Sequence, residues 1–246
     1  MTISLTPDQQ ARIAAQAWRN GEWLQELWPG TLYSSGVGQT KKIVLPDGSL
    51  MTLNTQSEVR AHYTRHSREI RLTKGEVLFN VAHDATRDFV VRIGSWMVFA
   101  VGTAFNIRRL TATSLDVTVT EGIVEMLPSG SEPTQARQKL TALHEARAED
   151  DGGLDVHEVS DTELQRRLAW RSGLIVFDGE TLRQALTEIN RYSTRPIMVT
   201  DPELADRRIV GVFPTSDTQT FVHGMRITLG VEAVETGNGV LLRRPD

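Results

Sequence analysis

The sequence contains no cysteine among its 246 residues. This absence excludes disulfides, thiolate nucleophiles and cysteine-containing metal sites. It does not fix the compartment, because an extracytoplasmic domain can fold without disulfides. No apolar run approaches the roughly 18 residues that cross a bilayer, and the first residues lack the charged-then-apolar pattern of a signal peptide. We therefore expect the chain as given to be soluble.

An excess of charge of one sign is also missing. The chain carries 27 Lys and Arg against 31 Asp and Glu, a formal net charge of −4, and no basic block forms. This balance gives no reason to expect nucleic acid or an anionic membrane surface as a partner. With 39% hydrophobic and 24% charged residues the composition is globular, and the length favours two domains.

Patterns of catalytic and metal-binding residues are scarce. His62 and His66 have a metal-ligand spacing only on a helix, whereas their segment is predicted to be strand and turn. No Gly-x-Ser-x-Gly elbow occurs, and acid pairs such as Asp150 with Asp151 lie in turns. The glycines of residues 36–41 precede a strand, so no helix N-terminus is available for a phosphate. We expect no enzyme activity, no cofactor and no metal.

The sequence does contain many short segments of alternating apolar residues between Leu45 and Leu127. Each has β-branched or aromatic residues at every second position, and turn residues such as Pro46–Ser49 separate them. The pattern is typical of an antiparallel sandwich or barrel. The predicted strands are residues 42–45, 50–53, 69–72, 76–81, 89–93, 96–101, 103–108, 115–120 and 123–127.

These segments also carry a resemblance. The blocks LPDGS, RLTKGEVLFNVAHD, RDFVVR, VGTAFNIR and VTVTEGIVEM follow one another in this order. In this order they resemble the periplasmic domain of FecR-type anti-sigma regulators. A match of several ordered blocks is more specific than one short motif.

The second half changes to a mixed pattern. Residues 160–163 form a predicted capping box that opens a short helix, and Gly173 ends that helix region. We place the domain boundary between Gly153 and Gly173. A β-α-β pattern then occurs twice, which predicts a small α+β domain with two helices on small sheets. The predicted elements are strand 174–177, helix 182–192, strand 197–199, strand 209–213, helix 218–229 and strands 231–235 and 240–243.

This half resembles the secretin and TonB short N-terminal (STN) domain. The resemblance rests on FDGETLRQALTEINRYSTRPIMVTDPEL and RRIVGVFPTSDTQTFVHGMRITLGVEAVETGNGVLLRR, with WRSGLIVF at the junction. FecR-type proteins carry such a domain after their β-domain. The fold class is therefore mainly β plus α+β. The expected organisation is a lead-in helix over 1–30, a FecR-like all-β domain over 31–155 and an STN-like domain over 156–246.

The lead-in has two interpretations. Thr6 and Gln9 form a predicted capping box for a helix to about residue 20. Trp18, Trp23 and Trp28 could anchor this segment at a membrane surface. They could equally pack against the β-domain or another copy of the chain, and both alternatives stay open.

With no chemistry predicted, recognition is the remaining class of function. An edge strand over 208–213 could pair with a partner strand, and Arg207 and Arg208 would steer an acidic partner. In the alternative, Ile209 and Val212 only fill the core. The candidate partner-binding residues are Arg207, Arg208, Ile209, Val210, Val212 and Phe213.

The two resemblances imply a function in cell-surface signalling. The chain would be the periplasmic sensor region of a transmembrane anti-sigma regulator. It would bind the signalling domain of a TonB-dependent outer-membrane transporter. It would control an extracytoplasmic-function sigma factor through a cytoplasmic part and an inner-membrane helix that this sequence lacks. Iron or siderophore uptake is the implied process.

Other interpretations stay open. The chain could be an excised extracytoplasmic fragment or a soluble relative of such regulators. A different class of function is a module that binds an envelope polymer (a carbohydrate) or a peptide. Exposed aromatic residues near Trp96 and Phe99 would favour the carbohydrate-binding module.

Overall fold

The structure is a computed structural model that describes residues 29–131 and 136–245. The predicted lead-in helix and its three tryptophans lie outside these residues. In the described part, β-strands dominate and form two large sheets followed by two small ones.

Two seven-stranded sheets form the first domain. Neighbouring strands are antiparallel except β5 and β7, which are parallel. The first sheet has the order β1-β4-β5-β7-β8-β11-β12, with β1 Thr31–Ser34, β4 Glu58–Tyr63, β5 Arg68–Lys74, β7 Phe89–Ile93, β8 Trp96–Ala100, β11 Ile123–Pro128 and β12 Gln138–Thr141. The second has the order β14-β13-β10-β9-β6-β3-β2, with β2 Lys41–Val44, β3 Leu50–Leu53, β6 Glu76–Asn80, β9 Ala104–Arg109, β10 Ser114–Glu121, β13 His144–Glu149 and β14 Leu154–Glu158.

The inner faces of both sheets contribute to one hydrophobic core, so the domain is a β-sandwich. Along β7, Phe89, Val91 and Ile93 are buried while the residues between them are half-exposed. Phe79 of the second sheet contacts Phe89 of the first edge-on, with ring centroids 5.5 Å apart. Replacing Phe79 by alanine would leave a cavity that costs about 3–5 kcal/mol of stability.

Several strands have no predicted counterpart. In β4 and β13 the inward positions include Ala61, Ala146 and Ala148, which are buried in the core. Alanine has a low β-propensity and weakens the apolar alternation. The edge strand β14 is mostly exposed, so it lacks an apolar face. The apolar alternation of the sequence therefore does not predict β4, β13 or β14.

The second domain begins soon after β14. Its elements are α1 Asp161–Arg167, a 3-10 helix Ala169–Ser172, β15 Leu174–Thr181, α2 Leu182–Ile189, a 3-10 helix Asn190–Tyr192, β16 Ile197–Val199, α3 Pro202–Ala205, β17 Arg208–Pro214, α4 Thr218–Leu229, β18 Glu232–Thr236 and β19 Gly239–Arg243. Ser160 caps α1 by accepting from the Glu163 N–H. Gly173 ends the first 3-10 helix in the left-handed conformation, at φ 74°.

The two β-α-β units interleave. The first strands of the units, β15 and β17, pair with each other in an antiparallel two-stranded sheet. The later strands form a sheet of order β16-β19-β18, in which β16 and β19 are parallel. Helices α2 and α4 share one core with both sheets. In this core the ring centroids of Phe177, Phe213 and Phe221 lie within 6.1 Å of one another.

The second domain covers the outer face of the second sheet. Alternation predicts that this face is polar, and it carries Glu76, Asn106, Thr118 and Glu145. All four are nevertheless buried. Leu78, on the same face, belongs to the core of the second domain. A polar sheet face therefore forms an interface between the domains instead of a solvated surface.

Candidate protein-interaction surface

The predicted partner-binding segment lies in β17. In the described part of the chain, β17 pairs only with β15, so its other edge has no partner strand. An unpaired edge presents N–H and C=O groups that another strand can bind. The expectation of an edge strand over residues 208–213 therefore agrees with this topology.

The register shows which backbone groups of β17 are free. Thr215 donates its N–H to the carbonyl of Gly173, at 2.8 Å. Opposite residues in an antiparallel pair alternate between hydrogen-bonded and non-bonded. Thr215 and Gly173 are therefore a hydrogen-bonded pair. Counting along the register from this pair, Pro214, Val212 and Val210 occupy pairs that make no backbone hydrogen bonds between β17 and β15. The backbone groups of Val210 and Val212 consequently point away from β15.

The side chains of β17 alternate between core and surface. Ile209 is 1% and Phe213 8% exposed, and both pack in the core of the second domain. Val210 is 71% and Val212 58% exposed. The alternative that Val212 only fills the core is wrong, whereas it describes Ile209. Two exposed valines and their free backbone groups thus occupy one edge.

Positive charge lies at the beginning of β17. Arg208 donates from Nη1 to the carbonyl of Gly179, at 2.7 Å, which fixes its side chain against β15. The Arg207 side chain is exposed and forms no ion pair with any described residue. Both charges are available to an acidic partner at the edge.

An apolar groove adjoins the exposed valines. It lies between α1 and the outer face of the two-stranded sheet and has a volume of about 430 Å³. Thr162 and Gln165 of α1 form one wall, and Val176, Val210 and Val212 form the other. The edge and the groove together form a continuous surface.

Hydrogen bonds join the second domain to the sandwich. Asn54 donates from Nδ2 to the Tyr192 hydroxyl, at 2.8 Å. The carbonyl of Arg191 accepts from Thr55 Oγ1 and from Gln56 Nε2, each at 3.0 Å. The loop after β3 therefore holds the 3-10 helix that follows α2.

A charge network lies beside these bonds. Arg191 contacts Glu76 at 2.8 Å and Glu188 at 2.6 Å, and Glu188 also pairs with Arg108 at 2.6 Å. Burial alone would raise the pKa of Glu76. The charges of Arg191 and Arg108 and hydrogen bonds from Arg191 and Asn54 outweigh burial and hold that pKa below its usual value. Glu76 is thus a buried carboxylate in its charged form.

Sequence reasoning missed this junction. Glu76 and Arg108 occupy outward positions of strands, where charged residues normally face water. Arg191 and Tyr192 follow an amphipathic helix and carry no motif. No local signal distinguishes a solvated sheet face from one that a second domain covers.

A polar cleft lies between the domains. Its volume is about 520 Å³. Asn106 and Glu145 line it from the sandwich, and Trp170, Glu188 and the first residues of β15 line it from the second domain. We name it the interdomain cleft.

The two histidines considered as metal ligands, His62 and His66, lie in different elements. His62 lies in β4, and His66 lies in the turn between β4 and β5. Within residues 29–131 and 136–245, no group of three or more potential metal ligands occurs. In the same residues, no helix combines the length and apolar character that crossing a bilayer requires.

Polar and aromatic residues elsewhere on the sandwich have structural partners. Asp150 Oδ1 accepts from the N–H and the hydroxyl of Ser95, at 3.1 and 2.9 Å, and so joins two turns. Trp96 is buried and donates from Nε1 to the carbonyl of Glu149. The Arg137 guanidinium lies 3.9 Å from the centre of the Phe99 ring. Trp96 and Phe99 therefore do not form an exposed aromatic platform.

Comparison with known proteins supports the first resemblance. A family model described as FecR protein matches residues 31–125, which run from β1 into β11. Two crystal structures of a "putative anti-sigma factor" from Parabacteroides distasonis, at 1.65 and 2.50 Å resolution, have a similar fold. Each is 22% identical, with a TM-score of 0.69, over 88% of this chain and 100% or 99% of the other. No curated protein matches the sequence.

These matches have different extents. The FecR match lies within the sandwich, whereas the fold likeness covers more of the chain than the sandwich alone supplies. Residues 31–125 are thus similar to the FecR family, and the fold of most of the chain, including the second domain, is similar to that of a solved structure. The STN likeness of the second domain stays a prediction.

Proposed function

We propose that this chain is the periplasmic sensor region of an anti-sigma regulator and that it binds the signalling domain of a TonB-dependent outer-membrane transporter. The observation that carries the proposal is the FecR match over residues 31–125. Control of an extracytoplasmic-function sigma factor, and a link to iron or siderophore uptake, follow from the same resemblance.

The edge of β17 is the proposed contact. A strand of the partner would pair with the free backbone groups of Val210 and Val212, which is β-augmentation. The exposed valines and the groove beside α1 would take apolar side chains of the partner. Arg207 and Arg208 would accelerate association with an acidic surface.

Signalling requires that the partner prefers one state of the chain, since a ligand with equal affinity for two states shifts neither. The second domain carries the proposed contact and is held to the sandwich by the Arg191 network. A change in this junction is the simplest way for binding at β17 to reach the rest of the regulator.

Calorimetric titration tests the partner. The chain is titrated with purified N-terminal signalling domains of the TonB-dependent transporters from the same genome. We expect one domain to bind with micromolar or tighter affinity. Val210→Pro removes an outward N–H without breaking a bond to β15, and we expect it to weaken binding about tenfold or more, since one hydrogen bond to a strand is worth about 1.4 kcal/mol here.

Val210→Ala is the matched control. It keeps the backbone N–H and removes only the exposed side chain, so we expect affinity within a few-fold of wild type. Circular dichroism establishes that both variants fold. Unchanged binding by Val210→Pro would show that the partner does not pair with the edge of β17. Failure of every signalling domain to bind would overturn the proposed partner and favour an envelope polymer or a peptide.

A further inference from the structure

The outer face of the first sheet carries a row of arginines. Arg60 lies opposite Arg71, and Arg71 lies opposite Arg92, so the three residues cross β4, β5 and β7 side by side. Neighbouring strands are about 4.8 Å apart, which brings the three positive charges close together. Apolar residues extend the row at both ends. From β1 to β11 the row is Leu32, Arg60, Arg71, Arg92, Met97 and Leu127.

Like charges in this row repel one another. Like-charged residues directly opposite each other destabilise a sheet. The Arg92 side chain is 14% exposed and pairs with Glu69, at 3.3 Å. Burial lowers the pKa of Arg71, and the charges of Arg60, Arg109 and Arg92 lower it further. A group that stabilises a partly buried cation would therefore be favoured on this face.

The outer face is covered at one end of the row. Met126 and Leu127 are consecutive in β11, and they are 1% and 5% exposed. Successive strand residues point to opposite faces, and Met126 belongs to the sandwich core, so Leu127 points outward. Among the described residues, Leu127 belongs to no hydrophobic cluster, and every helix makes its main contacts within the second domain. The apolar core of neither domain accounts for the burial of Leu127.

The chain reaches this face directly from its N-terminal side. Leu32 begins the row in the edge strand β1. Trp28 precedes Leu32 by four residues, which span at most about 14 Å. Arg60 and Arg71 lie about 5 and 10 Å from β1. A segment attached by so short a link has an effective concentration of about millimolar at the row, which favours it over a free partner.

The segment before β1 has groups that suit the arginine row. Three of the five tryptophans of the chain are Trp18, Trp23 and Trp28, and Glu22 and Glu26 lie between them. Tryptophan is the best aromatic partner of a cation, and the planar guanidinium group of arginine stacks on aromatic faces. Carboxylates add charge-assisted hydrogen bonds to guanidinium groups. The segment therefore offers both kinds of group that stabilise a partly buried arginine.

We propose that residues 18–28 dock on the outer face of the first sheet, with their indole rings stacked on Arg60, Arg71 and Arg92. Glu22 and Glu26 offset the positive charge of the row. Docking uses the same indole rings that a membrane surface or a second copy of the chain would need. This contact does not depend on the partner proposed at the edge of β17.

Indole N–H resonances of the full chain in a ¹H–¹⁵N NMR spectrum test the docking. The peaks of Trp18, Trp23 and Trp28 are assigned by their loss in single Trp→Phe variants. Arg71→Gln removes the central cation, and we expect at least one of the three peaks to move towards its position in urea. Arg71→Lys keeps the charge but not the planar group, so it should cause a smaller shift in the same direction. The peak of Trp96, which is buried in the sandwich, establishes that the variants fold.

Arg195→Gln is the matched control. Arg195 pairs with Glu235 on the surface of the second domain, so its loss should move none of the three peaks. Peaks that have their urea positions in the wild type, or that Arg71→Gln leaves unchanged, would overturn the proposal. Peaks that move only on dilution would indicate a second copy instead. Peaks that move only with phosphatidylglycerol vesicles would indicate a membrane surface, and either result would also overturn the proposal.

A spin label locates the docked segment. The chain has no cysteine, so Lys139→Cys supplies a single attachment point on the outer face, where the Lys139 side chain is 70% exposed. We expect a label there to broaden at least one of the three indole peaks. A label at Ile227→Cys, on α4 in the second domain, is separated from that face by both sheets and should broaden none. Broadening by the second label alone would overturn the proposal.

Discussion

The Tyr192 hydroxyl lies 2.8 Å from Asn54 Nδ2 and joins residues that are 138 positions apart in the chain. Asn54 is fully buried, and its Nδ2 also donates to Glu76, at 2.9 Å. The bond therefore connects the 3-10 helix after α2 to the charge network. A single hydroxyl links the two domains at this point.

Tyr192→Phe removes this hydroxyl and keeps the ring. We expect the free energy of unfolding to fall by about 1–3 kcal/mol, because Asn54 loses a buried partner. Urea unfolding measures the change. Tyr33→Phe is the control: Tyr33 packs against the sandwich core, its hydroxyl makes no hydrogen bond among the described residues, and its loss should cost less than about 0.5 kcal/mol. Equal losses of stability in the two variants would contradict a stabilising role of the Tyr192 hydroxyl at the junction between the domains.

Arg191 holds Glu76 in the buried network. Arg191→Ala leaves the Glu76 carboxylate without its main counter-charge, and we expect a loss of about 3–5 kcal/mol. The matched control is Arg195→Ala, because Arg195 pairs with Glu235 on the surface, where both side chains are largely exposed. An exposed pair contributes about 0–1 kcal/mol. If both variants lost similar stability, the network would not hold the domains together.

The acid response follows from the lowered pKa of Glu76. The unfolded-state pKa is near 4.5, so the stability that Glu76 contributes is fully present above that pH and is lost as pH falls through the lower folded pKa. Glu76→Gln removes this proton linkage. We expect the stability difference between wild type and Glu76→Gln to shrink from neutral pH to about pH 3. A difference that stays constant across this range would contradict the assignment.

Gly75 permits the turn that places Glu76. Its φ is +91°, and a Cβ there would lie 2.5 Å from Ser57 Cα. Ser57 Oγ bonds both backbone groups of Glu76. Gly75→Ala should therefore cost about 1–2 kcal/mol for the left-handed backbone and about 1–3 kcal/mol more for the clash.

Gly48→Ala is the control for this substitution. Gly48 has a similar φ of +85° but nothing within 4 Å of the added Cβ. Gly48→Ala should therefore lower stability only by the cost of the left-handed backbone, about 1–2 kcal/mol. Thermal unfolding of both variants separates the two effects, and equal losses would show that the contact with Ser57 is unimportant.

Much of the sandwich follows from local pattern. Phe89, Val91 and Ile93 are apolar and fall at every second position, and a period of two predicts a strand with one buried face. Alanine at the inward positions of β13 hides the same periodicity. The repeated β-α-β units are also visible in the sequence, but their interleaved pairing is not, because it depends on which strands meet in space.

The candidate surface was predictable only in part. The sequence indicates that residues 208–213 form a strand at an edge. It does not indicate that Val210 and Val212 face solvent while Ile209 and Phe213 face the core. Either set could face inward on a period of two, since both are apolar. Which set faces inward depends on the face of the two-stranded sheet that α2 and α4 cover.

Amide hydrogen exchange at Val210 and Val212 tests the central claim most directly. In the free chain both N–H groups point away from β15 and should exchange rapidly. In complex with the cognate signalling domain, both should become protected by at least tenfold, while protection of Ile209 and Gly211 changes little. A tight complex in which Val210 and Val212 exchange as fast as before would contradict strand addition at β17.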